Sequence, residues 1–192
     1  MSFRVEVIPE DPTFNGAILK PLVERVVAEA GRPNARVNVL TNPKASGYQH
    51  VVGLMEQAGG IIESYRRREL LLFLPDQDGA SKQSDFARLE KLANGLGANL
   101  ICCAAVEEVE TWLLAGHVDK IGQSWSAVRS NASVKENVFA PFLAKHGDTM
   151  RPGGGRDTLM RETLSNYSGL KARCPEIAEL EAKIKESIAA RP

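Results

Sequence analysis

The run Glu69 to Leu74 (ELLLFL) constrains this chain more than any other segment. Side chains alternate across a strand, so a run of apolar residues with no polar face must be covered on both sides. Such strands belong to parallel sheets packed between helices. Three other segments read as strands: Phe3 to Ile8 (FRVEVI), Ala35 to Leu40 (ARVNVL) and Asn99 to Ala104 (NLICCA). The intervening stretches have helical spacing. Phe14 to Ala30 places Ile18, Leu22, Val26 and Ala30 on one face, with Thr13 as a candidate N-cap and Gly31 as a stop. Tyr48 to Ala58 ends at Gly59-Gly60, Ser84 to Leu96 reads as a third helix, and a fourth begins within Glu107 to Ala115. This alternation predicts an α/β core over residues 1–116, with a mainly parallel sheet of about four strands and helices on both faces. Beyond Gly116 the strand pattern stops. Val134 to Ala144, Asp157 to Tyr167 and Pro175 to Ala190 read as helices, and Met150 to Gly155 as a loop. Residues 117–192 are therefore expected to form a helical extension packed on the core.

Composition narrows the function classes. The 192 residues are 43% hydrophobic and carry 24 basic and 24 acidic side chains, a formal net charge of zero. That argues against a broadly basic, nucleic-acid-coating protein, while leaving room for a local basic patch or metal-mediated phosphate binding. Cys102, Cys103 and Cys174 are odd in number and lack zinc-type spacing, so they read as free thiols rather than a disulfide framework. Met1 to Pro9 lacks the pattern of a signal peptide, and no apolar run approaches the ~20 residues that span a bilayer. The expectation is a soluble, cytoplasmic protein with no membrane partner.

Ligand sites in open α/β sheets lie beyond the carboxyl ends of the strands. Three of the four predicted strands carry acids there: Glu10 and Asp11 after the first, Asp76 and Asp78 after the third, and Glu107, Glu108 and Glu110 after the fourth. Lys44 follows the second. Neighbouring parallel strands are ~4.8 Å apart, so acids on their loops can converge. An extended backbone would point Asp76 and Asp78 to the same side, and a helix would put Glu107 and Glu110 on one face. Each cluster also has an ordinary reading, since Asp and Gly favour turns and acids favour the first turn of a helix. Their coincidence at one sheet edge points to a cation. Magnesium suits oxygen ligands, often takes one or two carboxylates with substrate phosphates, and assists phosphoryl transfer. No Cys/His set competes for a softer metal.

At these residues the chain resembles the Toprim family of topoisomerases, primases and OLD-type nucleases, whose pattern is a Glu after the first strand followed by Asp-x-Asp after a later apolar strand. The matching residues are Glu10, Asp76 and Asp78. It is similar, more closely, to the small bacterial RloB-like group, through Glu108-Val109-Glu110-Thr111-Trp112 and the tail YSGLKARCPEIAEL, Tyr167 to Leu180. Where Toprim proteins usually follow the first Glu with Gly, this chain has Asp11-Pro12. The resemblance implies a Toprim-like sheet and a Mg- or Mn-dependent phosphodiester enzyme, a nuclease or nucleotidyl transferase, in bacterial defence. Asp76, Asp78, Glu10 and Glu110 would hold metal, and Glu108 would serve as a further ligand or base. A second expectation is a non-catalytic, partner-binding domain on the same fold, its partner encoded nearby. A third, a nucleotide-binding domain, is disfavoured because neither a P-loop nor GxGxxG is present.

The remaining charges divide by position. Lys44, Lys135 and Arg156 are candidates for contacting nucleic-acid or nucleotide phosphates near the acids, Arg156 at the end of Gly153-Gly154-Gly155. Arg66, Arg67 and Arg68 precede the third strand and are expected at the opposite edge of the sheet, solvated or touching a nucleic-acid backbone. His50, His117 and His146 are scattered and form no catalytic motif. Trp112 reads as a core residue anchoring the helix that carries Glu110.

Overall fold

The computed structural model describes residues 2–44, 46–148 and 150–190. Met1, at the start of the amino-terminal stretch, and Ala45, within the loop after the second predicted strand, lie outside the described residues. In chain order the α/β part contains β1 (Arg4–Ile8), α1 (Asn15–Glu29), β2 (Arg36–Val39), α2 (Tyr48–Glu56), α3 (Ile61–Tyr65), β3 (Leu70–Phe73), α4 (Gln83–Gly95) and β4 (Leu100–Cys102). The four strands form one sheet in the order β2-β1-β3-β4, and every pairing is parallel. Every residue of β3 is buried, as its unbroken apolar run requires.

The pleat sorts the strand residues onto two faces. Val5, Val7, Leu70 and Leu72 share a core with Ile18, Leu22 and Val26 of α1. Ile8, Leu71 and Phe73 face the other way, onto Val51 and Val52 of α2, Ile62 of α3 and Leu89 of α4. Helices thus cover both faces.

The rest of the chain is helical: α5 (Glu110–Leu114), α6 (Trp125–Arg129), a π-helical turn at Lys135–Phe139 running into α7 (Ala140–His146), a 3-10 turn at Pro152–Gly155, α8 (Arg156–Leu164), α9 (Tyr167–Arg173) and α10 (Pro175–Ala189). Leu159 and Met160 of α8 and Ile177, Leu180 and Ile184 of α10 enter the α1-side core beside Trp112. No helix among the described residues is long and apolar enough to cross a membrane.

Several local expectations are corrected. The fourth predicted helix starts at Glu110, not Glu107. Glu107 has φ 61°, and its carbonyl accepts from the Gln77 and Asp78 amides at 2.9 and 3.2 Å. Stitching the β3 and β4 loops together demands this left-handed residue, so Glu107 and Glu110 share no helix face. Thr13 does not cap α1; its amide instead donates to Asp11 Oδ1 at 2.7 Å in a short Asx turn. Short helices α3 and α6, of five residues each, are too brief to carry a long periodic signal. The helix expected over Asp157 to Tyr167 breaks at Ser165-Asn166, where Asn166 Oδ1 accepts from the Gly169 amide at 3.0 Å and starts α9.

Helices α9 and α10 are tied by Glu181. Its carboxylate accepts from Tyr167 Oη at 2.9 Å and Lys171 Nζ at 2.8 Å, and also from Lys185 Nζ. Burial works against the charge, but these three donors outweigh it and hold the acid down at about 2. A folded pKa below the unfolded one contributes stability above the unfolded value and loses it as pH falls toward the folded one. Glu181→Gln is expected to cost about 2 kcal/mol at pH 7, with the difference from wild type fading between pH 4.5 and 2 in urea melts. An equal cost at both ends of that range would refute the charged network.

Candidate functional site

The strand order makes the carboxyl ends of β1 and β3 a topological switch point, because the chain winds to β2 on one side of β1 and to β3 on the other. Such crevices are where open α/β sheets bind ligands. Glu10 follows β1 and Asp76 follows β3, so both flank the crevice. Beyond β3 the sheet continues by one parallel bridge, Asp76 to Ala105. Asp76 Oδ1 accepts from the Val109 amide at 2.7 Å, which ties the acid to the turn that launches α5. Glu110 is the first residue of that helix and is 0% exposed.

Lys135 is the common neighbour of the acids. Its Nζ lies 3.7 Å from Glu110 Oε1. Burial works to lower the Lys135 pKa, yet Glu110, Asp76, Glu108 and Asp11 together hold it above its ordinary value. Glu10 responds to the same lysine. Burial and then the Asp78 carboxylate push Glu10 up to about 7, against the pull of Lys82 and Lys135. Burial pushes Asp76 up to about 8, with Glu110, Glu10 and Asp78 adding to it and the Val109 hydrogen bond opposing. Glu10, Asp76, Asp78 and Glu110 are thus electrostatically one group.

Unpartnered polar atoms occur here. Among the described residues, Glu10 Oε1, both carboxylate oxygens of Glu110 and Arg156 Nε are buried without a hydrogen-bond partner. Buried polar atoms ordinarily find a partner, and exceptions mark a place that water, an ion or a ligand completes.

The remaining candidates fall in different places. Asp78 sits in an exposed turn at φ 49°, so the extended backbone ends before it and the expected same-side projection with Asp76 is lost. Its charge still reaches Asp76 and Glu10. Glu108 Oε2 accepts from the Lys135 amide at 2.5 Å, capping the π-helical turn. Its pKa is raised by burial and by Glu110 and Glu136, with the Lys135 amide and charge opposing. The Arg156 guanidinium lies over two rings, 4.7 Å from the Phe14 centroid and 5.2 Å from that of Phe139. Its Nη1 donates to the Gly153 carbonyl at 2.8 Å. Gly153, Gly154 and Gly155 all have positive φ, and a Cβ on Gly155 would meet the Asp148 amide nitrogen at 2.6 Å, so this turn requires glycine. Burial lowers the Arg156 pKa, while Glu110 and Asp11 act to raise it.

Lys44 is exposed after the outer strand β2, and the cations acting most on Glu10 are Lys82 and Lys135 instead. Lys82 was not legible from sequence. It arrives because the loop after β3 folds back until its Nζ stands 4.0 Å from the Tyr48 ring centroid. His117 turns inward, its Nε2 3.1 Å from the Leu159 carbonyl, and burial lowers its pKa.

Among the described residues no group of three or more Asp, Glu, His or Cys side chains is arranged to hold a metal ion by itself. The donors still fit magnesium in kind, since that ion commonly takes one or two carboxylates and completes its shell with water and phosphate. No family model, curated protein or solved structure matches this chain.

Proposed function

We propose that the chain is a Mg- or Mn-dependent phosphodiester enzyme of nuclease or nucleotidyl-transfer type, on a Toprim-like fold and in bacterial defence. One observation carries this reading: Glu10, Asp76 and Glu110 share one electrostatic site at the β1/β3 switch point, with buried oxygens of Glu10 and Glu110 that no hydrogen-bond donor among the described residues satisfies. These three would hold the ion, with Asp78 at the rim. When bound, a divalent ion supplies charge neutralisation at phosphate and a more acidic water. Lys135 balances the carboxylates and, with Arg156, offers positive charge to a phosphate oxygen. Glu108 positions Lys135 by holding its backbone amide. Burial and the Asp78 carboxylate raise Glu10 to about 7, and a divalent ion held beside it would draw it back to the carboxylate form that ligates. The free thiols Cys102, Cys103 and Cys174 suit a reducing, cytoplasmic setting.

A second reading has an observation of its own. Among the described residues no three-ligand group is present, which fits a non-catalytic domain that binds a protein partner without using the acids. Cleavage of labelled single- and double-stranded DNA and RNA with Mg²⁺ or Mn²⁺, beside calorimetric metal titration, separates the two. The enzyme reading expects divalent-dependent cleavage, and metal affinity lowered roughly 10–100-fold in Glu110→Gln. If wild type neither cleaves nor binds metal, the enzyme reading fails. The second reading then expects a stable complex with a neighbouring gene product that Glu110→Gln leaves intact.

A further inference from the structure

A large cleft lies at the other end of the molecule. Its volume is about 810 Å³, and it opens at the amino edge of the sheet, lined by Arg32, Arg66, Arg67, Arg68, Asn34 and Asn99 among others. Arg68 is committed to the buried Glu6 at 2.7 Å, and Glu6 also accepts from Asn38. Glu69 in the lining is taken by the backbone amide and side chain of Arg4. The acids of this end are therefore already neutralised. Arg32, Arg66 and Arg67 are exposed and have no carboxylate partner among the described residues. A chain of zero net charge thus separates its charge, with carboxylates at one end of the sheet and uncompensated guanidiniums at the other.

Helix ends explain part of this arrangement. Helices α1, α3 and α10 all finish here, and cations are favourable beside helix carboxyl termini. Arg66 does donate from Nη1 to the Glu63 carbonyl at 2.9 Å. One hydrogen bond to a helix end leaves most of the donors in three guanidiniums unused.

We infer that this cleft binds the phosphate backbone of single-stranded nucleic acid. A lone phosphate is poorly served here, because among the described residues lining the cleft no helix amino terminus or glycine-rich loop offers amides to enclose it. A strand is different: it makes several exposed guanidinium contacts at once and needs no enclosed anion hole. The volume falls in the range of small-ligand pockets. Arg32 lies over Phe3 at 5.6 Å, so one wall also presents a flat surface for a base. The inference is independent of the carboxylate site.

The test is fluorescence anisotropy with labelled single-stranded DNA and RNA of mixed sequence, in chelator so that metal chemistry is silent. Three phosphate contacts predict a log–log salt slope of about −2, or roughly 20-fold weaker binding between 50 and 200 mM salt. Arg67→Glu and Arg32→Glu are expected to weaken binding at least about fivefold each. Arg67→Ala should lower the slope by about 0.7. Lys20→Glu makes the same charge change on the exposed side of α1, outside the cleft, and should bind as wild type. These arginines are exposed, so the variants should melt as wild type does, which a thermal scan checks. The inference is overturned if strands do not bind, or if the arginine variants bind them unchanged. Equal competition by polyglutamate, or binding of a nucleoside triphosphate but not of strands, overturns it as well.

Discussion

Asp76→Asn is expected to raise the melting temperature at pH 8 by roughly 5–10 °C in the presence of chelator. The pKa of Asp76 is about 8 in the folded chain, against about 3.9 in an unfolded one. Between those values the folded state holds a proton that the unfolded state has released, so stability falls as pH rises from about 4 to about 8. Four units of difference set an upper bound of about 5 kcal/mol. Sharing of repulsion among Glu10, Asp78 and Glu110 reduces it to about 2–4 kcal/mol, and each kcal/mol moves a chain of this length by roughly 2–4 °C. Asparagine keeps the oxygen that accepts from Val109 and removes only the charge. At pH 4 the carboxyl is largely protonated, so variant and wild type should converge. A gain of the same size at both pH values would show that charge is not the cause. No gain at pH 8 would show that the cluster is not strained.

The second large effect is at Trp112. It is fully buried, and its Nε1–H donates to Glu176 Oε1 at 2.9 Å. The same carboxylate receives both terminal nitrogens of Arg129, at 2.6 and 3.0 Å. The first turn of α10 thus fastens α5, which carries Glu110, to α6. Trp112→Ala removes a large core side chain and leaves a cavity, a loss of about 3–5 kcal/mol. That is a large share of the ~5–15 kcal/mol total typical of a domain. Trp112→Phe keeps most of the volume and loses the hydrogen bond, so a cost of about 1–2 kcal/mol is expected. Urea midpoints measure both. If Trp112→Ala falls within 1 kcal/mol of wild type, the tryptophan is not the anchor described.

The parts of this architecture that reveal themselves in sequence are those fixed by burial. All four strands appear within about two residues of where apolar patterning puts them, because a strand covered on both faces tolerates few polar residues. The acids are visible because they follow strands. What patterning does not reveal depends on contacts across the chain. Glu107 leaves the helix because two amides from the β3 loop need its carbonyl. Lys82 joins the site through a loop reversal and the face of Tyr48. Lys135 and Arg156 are visible in sequence only as charges; their arrival beside Glu110 depends on how the helical tail packs.

The π-helical turn at Lys135–Phe139 carries one further consequence. Such a turn holds one more residue than the α-helical turn it replaces, which makes it equivalent to a single-residue insertion at the head of α7. Deleting one residue there would let the segment relax into the regular helix and turn everything before it by about 100°. Lys135 would then swing away from Glu110 while the core side chains of α7 kept their places. The charge balance of the carboxylate site is thus set by a count of residues, and a one-codon change in length would reset it without altering any acid.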